Sequence, residues 1–331
     1  MKKNMSFWSR LCVIIFLVPA VMLLMACGGG GSGSGSGETG TLSLSITDSP
    51  VDDAEKVVVA FTGVELKHQD GDRKEFYFCE VDDNDEFEGN NEFKVQGQPC
   101  TGEEYERKID LLALHSGLSE ELLGEEEVKA GRYNWIRLKV NAERGEKDSY
   151  IQFDADGKET ESLRIPSGAQ TGLKLVQGFV VPAGGHADFT IDFDLRKSVI
   201  DPQGHDDYFL KPTLRLVDNA EVGIIAGEVD SELIDPDGGN AVYVFEGHNA
   251  ELHDIQGEET DPLTTATVSE NNINGETVYK YRAAFLPPGD YTVAFTDQAD
   301  EDNPEDDDDI DFHSSNNVVV DAGEVTVQNF E

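Results

Sequence analysis

From Gly40 onward, hydrophobic positions recur at every second residue. Leu42, Leu44 and Ile46 alternate with small polar residues, and Val57, Val59 and Phe61 repeat the spacing in the next segment. The same alternation returns at Ile136-Leu138-Val140, at Phe189-Ile191-Phe193-Leu195 and at Leu214-Leu216. Successive side chains of a strand point to opposite faces, so a period of two marks a strand with one buried face. Gly, Pro, Asp and Asn between the runs supply the turns. The pattern predicts an all-β protein of sandwich or barrel type. Only Ser119 to Glu127, opening Ser-Glu-Glu-Leu-Leu, reads as helical.

The alternation falls into two blocks, with a boundary expected near Asp218-Asn219-Ala220. Residues 41–218 and 219–331 are each long enough to close one core, so two β-sandwich domains in tandem are predicted, Greek-key in connection and immunoglobulin- or transthyretin-like in class. The second block opens at Val222 to Val229 and continues through Ala241 to Phe245 and Tyr279 to Phe285. It then turns at Leu286-Pro-Pro-Gly-Asp-Tyr291, where Pro287 and Pro288 fix φ and Gly289 permits the reversal. Val318 to Phe330 supplies a last strand pair across Asp321-Ala-Gly323.

Ahead of the strands the chain has another character. Lys2, Lys3 and Arg10 precede an apolar run from Leu11 to Met25, and an unbroken Gly/Ser stretch, Gly28 to Gly37, follows Cys27. A basic start, an apolar middle and small residues at the junction make residues 1–26 a secretory signal peptide. The apolar run is about 15 residues, short of the roughly 20 that span a bilayer. Leu24-Met25-Ala26-Cys27 resembles the bacterial lipobox, in which the Cys becomes the acylated N-terminus. That resemblance implies a lipid bilayer as partner through Cys27. With Gly28 rather than Asp after it, it implies the outer membrane of a Gram-negative envelope. Residues 27–40 then form a flexible tether.

Charge narrows the partners. The whole chain holds 25 basic and 67 acidic residues, a formal charge of −42. A mature chain starting at Cys27 would lose three of the basic ones and stand near −45. Such a field repels nucleic acid and favours a soluble monomer. It suits solvation in salty water or association with divalent cations. Of the four cysteines, Cys12 leaves with the signal and Cys27 takes lipid. Cys79 and Cys100 remain, in a compartment where an isolated pair is usually oxidised, and a disulfide between them is expected.

Both blocks also resemble known families. Gly40-Thr-Leu-Ser-Leu-Ser-Ile-Thr-Asp-Ser-Pro-Val-Asp-Asp53, Val57 to Leu66, Ile109-Asp-Leu-Leu-Ala-Leu114, Ala130-Gly-Arg-Tyr-Asn-Trp-Ile-Arg-Leu138, Asp192 to Ser198 and Tyr208 to Arg215 follow one another as in the bacterial domain of unknown function 4382. That resemblance covers residues 40–217 and implies no activity; the acidic insertion between Cys79 and Cys100 departs from it. The second block resembles the carboxypeptidase regulatory-like, transthyretin-type sandwich, on its Gly-rich opening strand, Pro-Gly-x-Tyr turn and Ala-Gly-Glu closing hairpin. This implies about seven strands, an accessory role and a fold shared with some starch-binding domains.

Candidate chemistry is sparse. On a strand, Asp192, Asp194 and Arg196 would share one face, with Lys211 and Arg215 on a neighbouring strand, either as an ion-pair ladder or as a ligand or metal site. Asp48, Asp52 and Asp53 flank a Ser-Pro turn. Calcium needs six to eight oxygens in a tight loop. Asp235 to Asn240, Asp154 to Gly157 and Asp82 to Asp85 approach that pattern, and Asp297 to Asp311 carries ten acids in fifteen residues. No stretch completes the EF-hand spacing. Tyr133 and Trp135 could form a sugar platform or could be packing, and Tyr243 with Phe245 and Tyr281 with Phe285 read as core pairs. His248-Asn-Ala-Glu251 matches a zinc-peptidase spacing with no distant third ligand, and reads as chance. No nucleophile elbow, phosphate loop or His-Glu-x-x-His occurs.

The expectation is a non-catalytic, lipid-anchored envelope protein with no cofactor, serving binding, adhesion or scaffolding, its partner a glycan or an envelope protein. A carbohydrate-binding or calcium-stabilised module is the alternative, and a hydrolase the third reading.

Overall fold

A computed structural model describes residues 38–49, 54–80, 93–114, 117–153, 159–166, 172–200, 207–211, 213–236, 238–256, 260–273, 275–303 and 308–331. The expected signal peptide, Cys27 and the expected Gly/Ser tether up to Gly37 lie outside the described residues, as do Asp52, Asp53 and residues 82–85 and 154–157. What is described is all-β. The helical pieces among these residues are one 3-10 turn, Leu111–Leu114, and one α-turn, Leu195–Ser198.

Strands up to Asp218 form two sheets. The smaller runs in the order Leu214–Asp218, His186–Asp194, Thr39–Ser49, Glu120–Lys129. The larger is built on Lys56–His68, flanked by Gly131–Asn141, Arg73–Glu80, Arg107–Asp110 and Tyr150–Gln152. Leu42, Leu44 and Ile46 of one sheet pack into a common core with Val57, Val59, Phe61, Val64 and Leu66 of the other, all at 0% exposure. The period-two pattern thus does what it predicted. Each such side chain contributes about 1.5–3 kcal/mol by leaving water.

From Gly223 onward there are two four-stranded sheets. One has the order Ser269–Ile273, Glu276–Leu286, Gly223–Val229, Val325–Val327; the other Thr264–Thr267, Ala241–Glu246, Gly289–Thr296, Ser314–Val320. Val242, Val244, Val293, Phe295 and Phe330 fill the space between them. Tyr281 lies in this core, but Phe285, expected to pair with it, is only half-buried and outside it, its backbone at φ +57°; Tyr243 and Phe245 form a second apolar cluster with Ile255 and Ala299.

The two halves are built alike in a way the alternation did not reveal. Each opens with a strand whose first Gly lies under the turn that leads into a strand parallel to it. A Cβ on Gly40 would meet the Pro182 carbonyl oxygen at 2.3 Å, and one on Gly223 the Asp321 oxygen at 2.3 Å. Thr41 N donates to Gly185 O at 2.9 Å and Gly184 N to Thr39 O at 2.7 Å; Ile224 N donates to Glu324 O at 3.0 Å and Gly323 N to Val222 O at 2.7 Å. Gly184 and Gly323 hold φ of +64° and +74°, a left-handed conformation that residues with a Cβ rarely adopt. Each half also carries a tyrosine two residues after a Gly, whose hydroxyl donates four residues back: Tyr133 to Lys129 O at 2.8 Å, Tyr291 to Pro287 O at 2.7 Å.

One element overturns its expectation. Ser119 to Glu127 is no helix; Glu120–Lys129 is an edge strand antiparallel to Thr39–Ser49. Its register shifts between Leu42 and Leu44 and again between Leu44 and Ser45. The bulges let Leu122 and Leu123, adjacent in sequence, both be buried, so the strand lacks a clean period of two. Pairing and burial override the helix propensity of Glu and Leu.

The disulfide is present. Cys79 and Cys100 are bonded, their Cα atoms 5.5 Å apart across 21 residues of chain. In the chain-entropy model a loop of that size adds about 3 kcal/mol.

Candidate functional site

A cleft of about 840 Å³ opens where the two halves meet. The His186–Asp194 strand supplies Asp192 and Asp194 to its wall, and the neighbouring strand supplies Leu214 and Arg215; Glu246, Glu251, His253 and Asp261 come from the second half. Asp192 stands opposite Arg215 in the antiparallel register, and the Arg215 guanidinium pairs with its carboxylate through Nε, at 3.2 Å, and Nη2. Asp194 ends the strand and caps the α-turn, accepting from Lys197 N at 3.2 Å, with Lys197 Nζ at 3.3 Å from its other oxygen. Burial pushes the Asp194 carboxyl above its ordinary value, opposed by Lys197.

The predicted cluster is therefore only partly assembled. Asp192, Asp194 and Arg215 come together, Lys197 takes the place expected of Lys211, and Arg196 leaves. The strand stops at Asp194, so Arg196 rides on the α-turn and not on the Asp192 face. It is 4% exposed and enters the second half. There its Nη1 lies 3.3 Å from the Tyr243 hydroxyl and donates to the Ala299 carbonyl, with the guanidinium 5.8 Å from the Tyr243 ring centre. Tyr243 in turn donates to Asp302 at 2.5 Å. Lys197 adds a bond from Nζ to Pro262 O at 2.8 Å. The turn is thus a two-pronged key between the halves, with Asp48 accepting from Leu195 N at 3.3 Å behind it.

Other candidates sort by the same geometry. His248 and His253 do not form a metal pair with Glu251: His248 Nε2 faces Val318 O at 3.2 Å, and both His253 nitrogens face backbone carbonyls, Asp254 O at 2.6 Å and Thr260 O at 3.0 Å. In the Asp235 turn, Asn240 Nδ2 donates to Asp235 O at 2.6 Å and Gly238 O at 2.9 Å, so the loop closes on its own side chain. The acidic run does contribute to a carboxylate cluster the sequence left unseen. Oxygens of Asp254, Asp302 and Asp308 lie within 4.8 Å of one another. They accept from Tyr243, Ile255 N, Gln256 and the Asp308 and Asn303 amides, a hydrogen-bonded knot that, among the described residues, brings together three carboxylates where a calcium shell takes six to eight oxygens. Burial raises the Asp302 carboxyl, with Tyr243 and Arg196 pulling the other way.

Tyr133 and Trp135 are not a platform. His68 pairs with Tyr133 and Lys67 with Trp135, so Asn134 is an extra residue in the strand and the two rings face opposite sides of the sheet. Tyr133 is in the core, stacked on Phe179 at 5.0 Å, and burial pushes its hydroxyl up to about 12. Trp135 is half-buried on the outer face, with Arg137 and Lys174 each 4.9 Å and Arg73 5.6 Å from its ring centre. Among the described residues no helix is long and apolar enough to cross a membrane.

No curated protein matches the chain. Among solved structures, a leucine-rich repeat protein from Bacteroides thetaiotaomicron aligns over 88% of this chain and 26% of its own, at 12% identity and a TM-score of 0.18. This chain therefore spans about a quarter of that protein's length. The minor pilin of Streptococcus agalactiae aligns over 87% and 94% at 8% identity and a TM-score of 0.18. The major pilin subunit of Bacillus cereus aligns over 88% and 99% at 9% identity and a TM-score of 0.17. Likenesses this weak carry no argument about role. A family model described as Domain of unknown function (DUF4382) matches residues 39–212, from the opening strand past the Asp192–Asp194 wall of the cleft. That match runs through more than half of the sequence, and the chain belongs to the DUF4382 family.

Proposed function

We propose that this is a non-catalytic binding protein of the bacterial envelope, lipid-anchored at the outer membrane through Cys27, its second half a carboxypeptidase regulatory-like accessory sandwich. The observation that carries the binding reading is the state of the charged groups in the cleft. Asp192 is matched by Arg215 and Asp194 by Lys197, and both nitrogens of His253 are engaged by carbonyls. Side chains so committed offer a fixed polar relief for recognition. Anchoring rests on the lipobox-like Leu24-Met25-Ala26-Cys27. Two or more acyl chains hold a protein stably, so the folded part needs no membrane-binding face of its own.

The test is fractionation of cells expressing the full chain or its Cys27→Ser variant. The parent should sediment with the outer membrane and the variant should appear in the soluble envelope fraction; a variant that still sediments refutes the anchor. Turnover of any polysaccharide or peptide substrate, lost in Asp194→Asn, would overturn the non-catalytic reading. A glycan as ligand is the second reading, favoured by the outward position of Trp135.

A further inference from the structure

On the outer face of the sheet built on Lys56–His68, the charge of the protein is inverted. Lys67 pairs with Arg73 on one side and Trp135 on the other; Glu65 lies between Glu75 and Arg137; Lys174 stands beside Arg137 on the edge strand; Gly63 lies between Tyr77 and Lys139. Residues paired across a sheet share a face, and the intervening Val64, Leu66, Ile136 and Leu138 are in the core, so this set points outward. Five cations therefore meet on one face of a chain in which acids outnumber bases 67 to 25. The carboxylates among them are already paired, Glu65 with Arg73 and Arg137 at 2.8 Å each and Glu75 with Lys139 at 2.5 Å. Arg137, at the centre, holds Glu65 through Nη1 and leaves the rest of its guanidinium edge on this face, 23% of the side chain exposed.

We propose that this face, through Arg73, Trp135, Arg137, Lys139 and Lys174, binds an acidic polysaccharide, a glycan with carboxylates along its chain. The proposal rests on the glycan reading above and names its ligand class and surface. A uronate polymer presents carboxylates separated by the apolar C–H faces of its rings. The protein face alternates in the same sense: cations surround Trp135, and Lys139 lies 4.1 Å from the centre of Tyr77. The four strands concerned span about 14 Å at the ordinary strand spacing, a track for a short run of sugars. A second copy of the chain is disfavoured because two bodies near −45 repel. Duplex DNA, with one charge per roughly 1.7 Å, meets the same field more strongly.

The test measures binding of the full chain, purified in detergent, to immobilised polygalacturonate, uncharged dextran, poly-L-glutamate and duplex DNA. The decisive variant is Lys174→Glu, which sits exposed on the edge strand and places a carboxylate beside Arg137 without touching the buried Glu65. Polygalacturonate should be retained, and Lys174→Glu should weaken it by about tenfold or more with an unchanged melting midpoint. Lys139→Glu should act in the same direction. The proposal falls if polygalacturonate is not retained, if both variants bind like the parent, or if poly-L-glutamate or DNA binds as tightly. Dextran held equally by parent and variants would remove this face and leave glycan binding standing; no glycan held at all would remove both.

Discussion

Asp207 shows how much one carboxylate can tie together in this fold. It is buried; one oxygen accepts from Ser162 Oγ at 2.5 Å and Gly145 N at 3.1 Å, and the other faces Arg144 and Arg164 at 3.3 and 3.4 Å. The Ser162 bond, then the Gly145 amide and the two arginines, hold its carboxyl below the ordinary 3.8. An acid whose folded value is depressed adds stability that is complete above its unfolded value and disappears as pH falls through the folded one. Asp207→Asn should therefore cost about 2 kcal/mol near neutrality. It should also flatten the loss of stability below about pH 4–5, as read from urea midpoints across pH. A parent and variant with parallel pH curves would contradict this. Nothing in the sequence singled Asp207 out, because its partners lie 45 and 62 residues away and meet only in the fold.

Among the elements, the repeated devices of the two halves invite a paired experiment. Tyr133 and Tyr291 each return a hydroxyl to the carbonyl four residues back, at the start of a return strand. Tyr133→Phe and Tyr291→Phe should each cost about 1 kcal/mol by denaturant unfolding, since each removes one half-buried hydrogen bond while keeping the ring in place. If only one of them matters, the two corners are not equivalent. Ala130-Gly-Arg-Tyr133 and Pro288-Gly-Asp-Tyr291, with Val181-Pro-Ala-Gly184 and Val320-Asp-Ala-Gly323, stand in the same order in both blocks. The likeness was therefore legible in the sequence, hidden by the different lengths of chain between the motifs. The strand at Glu120–Lys129 was not legible. Its two bulges break the period that would have marked it, and its Glu-rich composition argues for a helix. The Tyr133–Trp135 pair failed for the same reason: one inserted residue, Asn134, sends the rings to opposite faces.

At the scale of the whole molecule, Arg196 is one of the side chains that join the two halves, with Lys197 beside it. Residues 37–331 form one compact unit, and the guanidinium at the junction reaches Tyr243, Ala299 and, through Tyr243, Asp302. Removing it leaves the Ala299 carbonyl without its donor and the buried Asp302 carboxylate without a nearby cation, at a cost of about 3 kcal/mol. Arg196→Ala should split the calorimetric unfolding of the chain into two transitions, the first below the parent midpoint. A single transition at the parent temperature would mean that the α-turn contributes no coupling.

What the sequence determined by itself is whatever depends on neighbours in the chain. Alternating apolar residues make strands wherever they stand, and the one pair of cysteines outside the N-terminal segment closes on itself. The tertiary structure alone decided where charges meet. Arg196 turned from the Asp192 face to the opposite half because the strand ends two residues before it, Asp254 joined Asp302 and Asp308 from 48 and 54 positions away, and five cations gathered on one face of an acidic protein. Strand periodicity is local, but pairing register, bulges and the packing of one half on the other are set by the global fold, and they place the polar side chains.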